Sequence, residues 1–169
     1  MNGRGLLVLL AGVLLSGCMV NKITGVNQKK EIRRAQDAVA VLEDVSGRMH
    51  AYYHASARTL FETSSQHILE LVGGELPGYS FSGSDAYNMD YILSLNMQSA
   101  SGRLVGGTTA TLWRRNLTSG GSAPGDELYT IGIQTMPHPH VVYKYCKPQS
   151  KVGEDVCKAL AAQGFKTAK

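Results

Sequence analysis

The sequence predicts an α+β domain in which N-terminal helices pack on an antiparallel β-meander of about four strands, with a short C-terminal helix. Three observations predict it. Apolar residues recur at spacings of three and four in the first half of the chain, they alternate at period two from Tyr91 onward, and a helical pattern returns from about Val152.

Taken in order, Ile32, Ala35, Val39, Leu42 and Val45 form one stripe, while Lys29, Lys30, Arg33, Arg34, Asp37 and Glu43 lie on the other faces. This is an amphipathic helix, with Asn27 as its cap and Gly47 as its stop. Residues 48–55 fit either a helix or a strand, and Tyr52 and Tyr53 tilt the balance slightly to a strand. Leu60, Phe61, Ser64, Ile68, Leu71 and Val72 restore helical spacing over 57–72, where Gly73-Gly74 supplies a stop.

Beyond Pro77-Gly78 the pattern is that of a sheet. Tyr91, Leu93, Leu95 and Met97 alternate with Ile92, Ser94, Asn96 and Gln98, and Ser101-Gly102 offers a turn into a second strand over 104–113. Gly106 and Gly107 mark a bulge or a close backbone approach. After a loop over 118–125, a third strand covers 127–135, with Tyr129, Ile131 and Ile133 on one face. Pro137 and Pro139 interrupt it, and Val141, Tyr143 and Tyr145 resume as a fourth strand. In the last helix, over 152–163, Val156, Ala159, Leu160 and Gln163 share one side and Gly164 ends it.

The first 17 residues have a different character. Met1 to Arg4 carries one positive charge, and Leu6 to Leu15 is an apolar run of ten residues, too short to cross a hydrocarbon core about 30 Å thick. Leu15-Ser16-Gly17-Cys18 follows. These residues resemble the bacterial lipobox, and the resemblance implies a cleaved signal peptide over 1–17 and a Cys18 thioether-linked to diacylglycerol and further acylated with palmitate-type chains. Residues 18–28 then form a lipidated tether, and 29–169 a single α+β domain. Two or three acyl chains attach a protein firmly, where one gives only marginal binding. Met19, in place of the Asp that retains many such proteins at the inner membrane, implies an outer-membrane location with the domain in the periplasm.

Removing the signal leaves 152 residues, enough for one core and too few for two. The formal charge of +4 falls by one when Arg4 is removed, a balance that does not point to nucleic acid. With Cys18 lipidated, Cys146 and Cys157 remain as a pair in an oxidising compartment and are expected to form a disulfide; two free buried thiols are the alternative.

The candidate chemistry is sparse. His50 and His54, four apart, would share a helix face and could meet one metal ion, but no glutamate follows His50 and no third ligand is identifiable, so they read as surface histidines. His138-Pro139-His140 reads as a turn before a metal or proton-transfer site. Asp85 and Asp90, among Ser, Gly, Tyr and Asn, suit turn capping better than acid-base work. Trp113, Tyr129, Tyr143 and Tyr145 suit a binding face or burial against the helices equally well. Lys29, Lys30, Arg33 and Arg34 lie just past the tether, where they either meet anionic headgroups or a partner, or form a solvated helix face.

No nucleophile elbow, phosphate-binding loop or dinucleotide fingerprint occurs, so an enzyme is not expected, nor any metal or cofactor. The layout of lipid, tether, helix and compact domain resembles that of secretion-system pilotins, conjugation-apparatus lipoproteins and outer-membrane assembly factors. It implies a non-enzymatic accessory lipoprotein that binds and stabilises a component of a cell-envelope machine, touching the membrane through its lipid and free to self-associate. A peptidoglycan- or lipopolysaccharide-binding lipoprotein is the alternative.

Overall fold

The computed structural model describes residues 4–55, 61–98, 106–117, 126–137 and 140–169, with side chains from Asn27 onward apart from those of Phe61 and Pro137. The elements are α1 (Arg4–Ala55), β1 (Phe61–Glu62), α2 (Ser65–Val72), β2 (Ser80–Ser82), β3 (Asp85–Tyr87), β4 (Tyr91–Gln98), β5 (Gly107–Arg114), β6 (Tyr129–Pro137), β7 (His140–Pro148), α3 (Lys151–Leu160), a 3-10 turn (Ala161–Gln163) and β8 (Lys166–Thr167). They form one sheet in the order β2-β3-β4-β5-β6-β7-β8, antiparallel except between β7 and β8. The short β1 shares an edge of β4 with β3, pairing at Met97 and Gln98 while β3 pairs over 92–94.

The α+β class holds, with helices grouped against one core. The expected four strands correspond to the long ones, β4 to β7. Among the described residues there are eight, because β1, β2, β3 and β8 are two or three residues long, too short to display a period. The predicted turn at Ser101-Gly102 lies outside the described residues.

Several helix boundaries move. α1 begins at Arg4 and passes through Asn27, which is therefore not its cap. Gly47 does not stop α1, which continues through 48–55 to Ala55. The stripe of buried residues also continues, from Ala35, Ala38, Val39, Leu42 and Val45 to Met49 and Tyr53. Tertiary burial of Met49 and Tyr53 outweighs both the cost of a mid-helix glycine, about 0.5–1 kcal/mol, and the strand preference of tyrosine. The second helix begins at Ser65 rather than at 57, because Ser64 takes an extended backbone and its hydroxyl accepts the His67 amide at 3.3 Å. Its end is as expected, with Gly73 left-handed at φ 67° and its N–H donating to the Leu69 carbonyl.

The sheet's buried face carries Tyr91, Leu93, Leu95 and Met97 of β4, Ala110 and Leu112 of β5, Tyr129, Ile131 and Ile133 of β6, and Cys146 of β7. α1 lies along β5 and β6, α2 against β3 and β4, and α3 against β7 and α1. Full burial of Leu42, Leu93, Leu112 or Ile131 stabilises by about 1.5–3 kcal/mol each. At Gly107, a Cβ would stand 2.3 Å from the Thr135 carbonyl oxygen, so the glycine marks the expected close approach.

A disulfide joins Cys146 to Cys157 and pins β7 to α3. The Ser150 hydroxyl reinforces this corner: it accepts the Gly153 amide and donates to the Leu128 carbonyl, both at 3.0 Å. Gly153 is required there, since a Cβ would lie 2.4 Å from the Leu128 oxygen. α3 ends at Leu160, short of the expected 163, and the 3-10 turn that continues it closes at Gly164, left-handed at φ 85°.

Candidate functional site

Two polar clusters sit at opposite ends of the stretch of α1 whose side chains are described, Asn27 to Ala55. Near its start, Glu31 is buried against the sheet. Its carboxylate receives both the Nε and Nη2 groups of Arg114, the latter at 3.2 Å, and the Tyr129 hydroxyl at 2.9 Å. Tyr129 in turn meets the Tyr91 hydroxyl at 2.8 Å, and the Arg114 guanidinium lies 5.6 Å from the Tyr91 ring centre. Asp90 completes the cluster, its carboxylate 3.1 Å from Arg114 and 3.4 Å from Arg34.

Burial alone would raise the pKa of Glu31, but the bonds and charge of Arg114, the Tyr129 hydroxyl and Arg34 together hold it below the ordinary carboxylate value. Burial, and then the neighbouring Tyr91 and Glu31, push Tyr129 well above the usual phenol range. Every member has a partner of complementary sign or hydrogen-bonding sense. These contacts tie α1 to β5, β6 and the entry of β4 and fix where it rests on the sheet.

At the other end, His50 and His54 occupy successive turns of α1, and their rings meet edge to face with centres 4.4 Å apart. β7 brings His140 to them, its ring centre 4.9 Å from that of His50. His140 faces α1 because alternation puts 140, 142, 144 and 146 on the sheet's helix side, and Cys146 is in the core. One nitrogen of each imidazole lies within 4.8 Å of the others. Burial, followed by the two neighbouring imidazoles, lowers the pKa of His50. His54 and His140 are exposed and His50 is half-buried.

The third histidine is what sequence reasoning missed. His50 and His140 are 90 positions apart, and only the register of β6 with β7, Pro137 opposite His140, carries it to α1. The available signal was that each segment, 50–54 and 138–140, separately raised a metal site as its lesser reading. His138 lies outside the described residues.

The remaining candidates separate clearly. Asp90 serves the arginines, and Asn88, not Asp90, takes the turn amides of Asp90 and Tyr91, at 2.8 and 2.6 Å. Asp85 lies in β3 rather than in a loop. Of the basic cluster, Lys29, Lys30 and Arg33 are exposed, whereas Arg34 is turned to Glu31 and Asp90. Tyr129 is core, while Trp113, Tyr143 and Tyr145 lie on the sheet's opposite face. There Tyr145 lies over Gly132, whose Cβ would fall 2.2 Å from the ring, and stacks with Tyr143 at 5.9 Å. Cys18 precedes the first described side chain. A groove of about 370 Å³ between α1 and the 75–79 segment is lined by Val41, Leu76 and Tyr79 with the ion pair Asp44–Arg48, and it holds no group placed for chemistry.

No helix among the described residues is long and apolar enough to cross a membrane. No family model matches this chain, and no curated protein and no solved structure is significantly similar to it.

Proposed function

We propose that this chain is a non-enzymatic accessory lipoprotein, anchored to the outer membrane through Cys18, whose domain binds a protein component of a secretion or conjugative-transfer machine. The observation that carries the reading is the outer edge of β7. Among the described residues β8 pairs only with Tyr145 and Cys146, so the stretch from His140 to Lys144, paired with β6 on one side, has no strand on its other side. Val141, Val142 and Tyr143 there are 38%, 48% and 38% exposed. An unpaired edge flanked by apolar side chains suits capture of a partner's extended segment by strand addition, with backbone bonds giving affinity and side chains giving specificity.

A photo-crosslinking residue at Val142 in the full-length protein in cells is expected to capture an envelope protein, whereas the same residue at Val152 on α3 captures none. Equal or absent capture at both positions overturns the strand-edge reading. The anchor is checked separately: Cys18→Ala is expected to move the protein from the membrane to the soluble fraction and to remove the acyl mass.

A second reading has its own observation. The stacked Tyr143 and Tyr145, with Trp113 on the same sheet face, suit the flat faces of sugar rings and so support peptidoglycan or lipopolysaccharide binding. Co-sedimentation with purified cell wall, lost in Tyr143→Ala, would favour it over the first.

A further inference from the structure

We propose that His50, His54 and His140 bind one divalent transition-metal ion of the zinc class, tying the end of α1 to the β6–β7 hairpin. The ligand set is three neutral-type nitrogen donors with no carboxylate among them. Such a set suits zinc, copper or nickel and not magnesium or calcium, which take oxygen ligands.

Geometry brings the donors close enough. On a tetrahedral zinc ion with Zn–N distances of about 2.0–2.1 Å, two nitrogens stand about 3.3 Å apart. Here they lie within 4.8 Å, and the remaining approach requires only small rotations of the exposed His54 and His140 rings. Spacing of four on a helix supplies two ligands from one face, and the rigid β6–β7 pair supplies the third from across the sheet. Three of the five histidines of the chain converge in this way.

Competing ligands are removed by the fold. Cys146 and Cys157 are consumed in a disulfide, and no acidic group joins the cluster among the described residues. Among the described residues the three imidazoles packed together meet no acid, in contrast to the satisfied cluster at Glu31. A cation is the ligand that satisfies all three at once. The fourth coordination position is left to water or to a side chain of a bound partner.

Calorimetric titration of the full-length, lipidated protein, purified without a histidine tag, tests this with Zn²⁺ alone as the probe. The expected result is one ion per chain, with affinity reduced more than tenfold in both His54→Ala and His140→Ala and unchanged in His67→Ala, whose ring instead pairs with Glu62 at 2.7 Å. His54 and His140 are exposed, so both variants should keep the wild-type melting temperature in chelator, which separates lost ligation from lost fold. Cobalt substitution supplies a second readout, a visible ligand-field band present in wild type and absent in His140→Ala. Failure of wild type to saturate, equal binding by His140→Ala, or loss of binding in His67→Ala would each overturn the site.

Discussion

Two stretches of α1, around Glu31 and around His50, use polar residues in opposite ways. Around Glu31, an acid, a buried arginine, a second acid and two phenols close on one another, and nothing is missing. Around His50, three bases of one kind meet at the surface, and among the described residues no acid joins them. Chemical complementarity, more than burial or proximity, separates a cluster that holds the fold from one that awaits a ligand.

Substitutions in the two stretches should therefore behave differently. Arg114→Ala leaves the buried Glu31 carboxylate with only the Tyr129 hydroxyl and the half-buried Arg34, and it is expected to lower unfolding free energy by about 3 kcal/mol or more, read by denaturant titration. Where β7 meets α3, Cys146→Ser with Cys157→Ser should lower stability by about 2–3 kcal/mol, since their separation of 11 residues sets the entropy the bridge removes from the unfolded chain. If Arg114→Ala cost less than the disulfide, the Glu31 cluster would not be what fixes α1.

The pH dependence sharpens the same contrast. Because the folded-state pKa of Glu31 is depressed, its contribution to stability is fully present above the ordinary carboxylate value of 4.5 and is lost as pH falls through the lower folded value. The stability difference between wild type and Glu31→Gln is thus expected to shrink below about pH 4.5, and a difference that stays constant there would contradict the ion pair. The smaller effects lie along the helix. Gly47→Ala, where a Cβ meets nothing within 4 Å, should raise stability by about 0.5–1 kcal/mol. His54→Ala in chelator should change it by less than about 0.5 kcal/mol, the smallest effect of the series.

How much of this was legible in the sequence follows from the range of each signal. The four long strands and the buried stripe from Ala35 to Val45 announce themselves because a period repeats several times within them. Ser64 and Gly73 are local cap signals, and Gly73 was readable as a stop. Gly47 misled, because the packing of Met49 and Tyr53 that overrides it comes from other elements. Glu31 and Arg114 are 83 positions apart and no local pattern singles either out, and Arg34 was grouped with its sequence neighbours Lys29, Lys30 and Arg33 although it is turned to Glu31 and Asp90. Both polar clusters depend on strand register, which no local pattern encodes.

The partial cover that β8 gives β7 has a further consequence. A long bare edge is a template on which identical chains stack into fibrils, and proteins that display one must limit its length. Here Lys166 and Thr167 block the edge at Tyr145 and Cys146, and Lys144 stands beside them, held by Glu43 at 2.6 Å. Only a short stretch is left open, enough for a brief segment of a guest to dock and too little for one copy to nucleate a growing stack of its own kind.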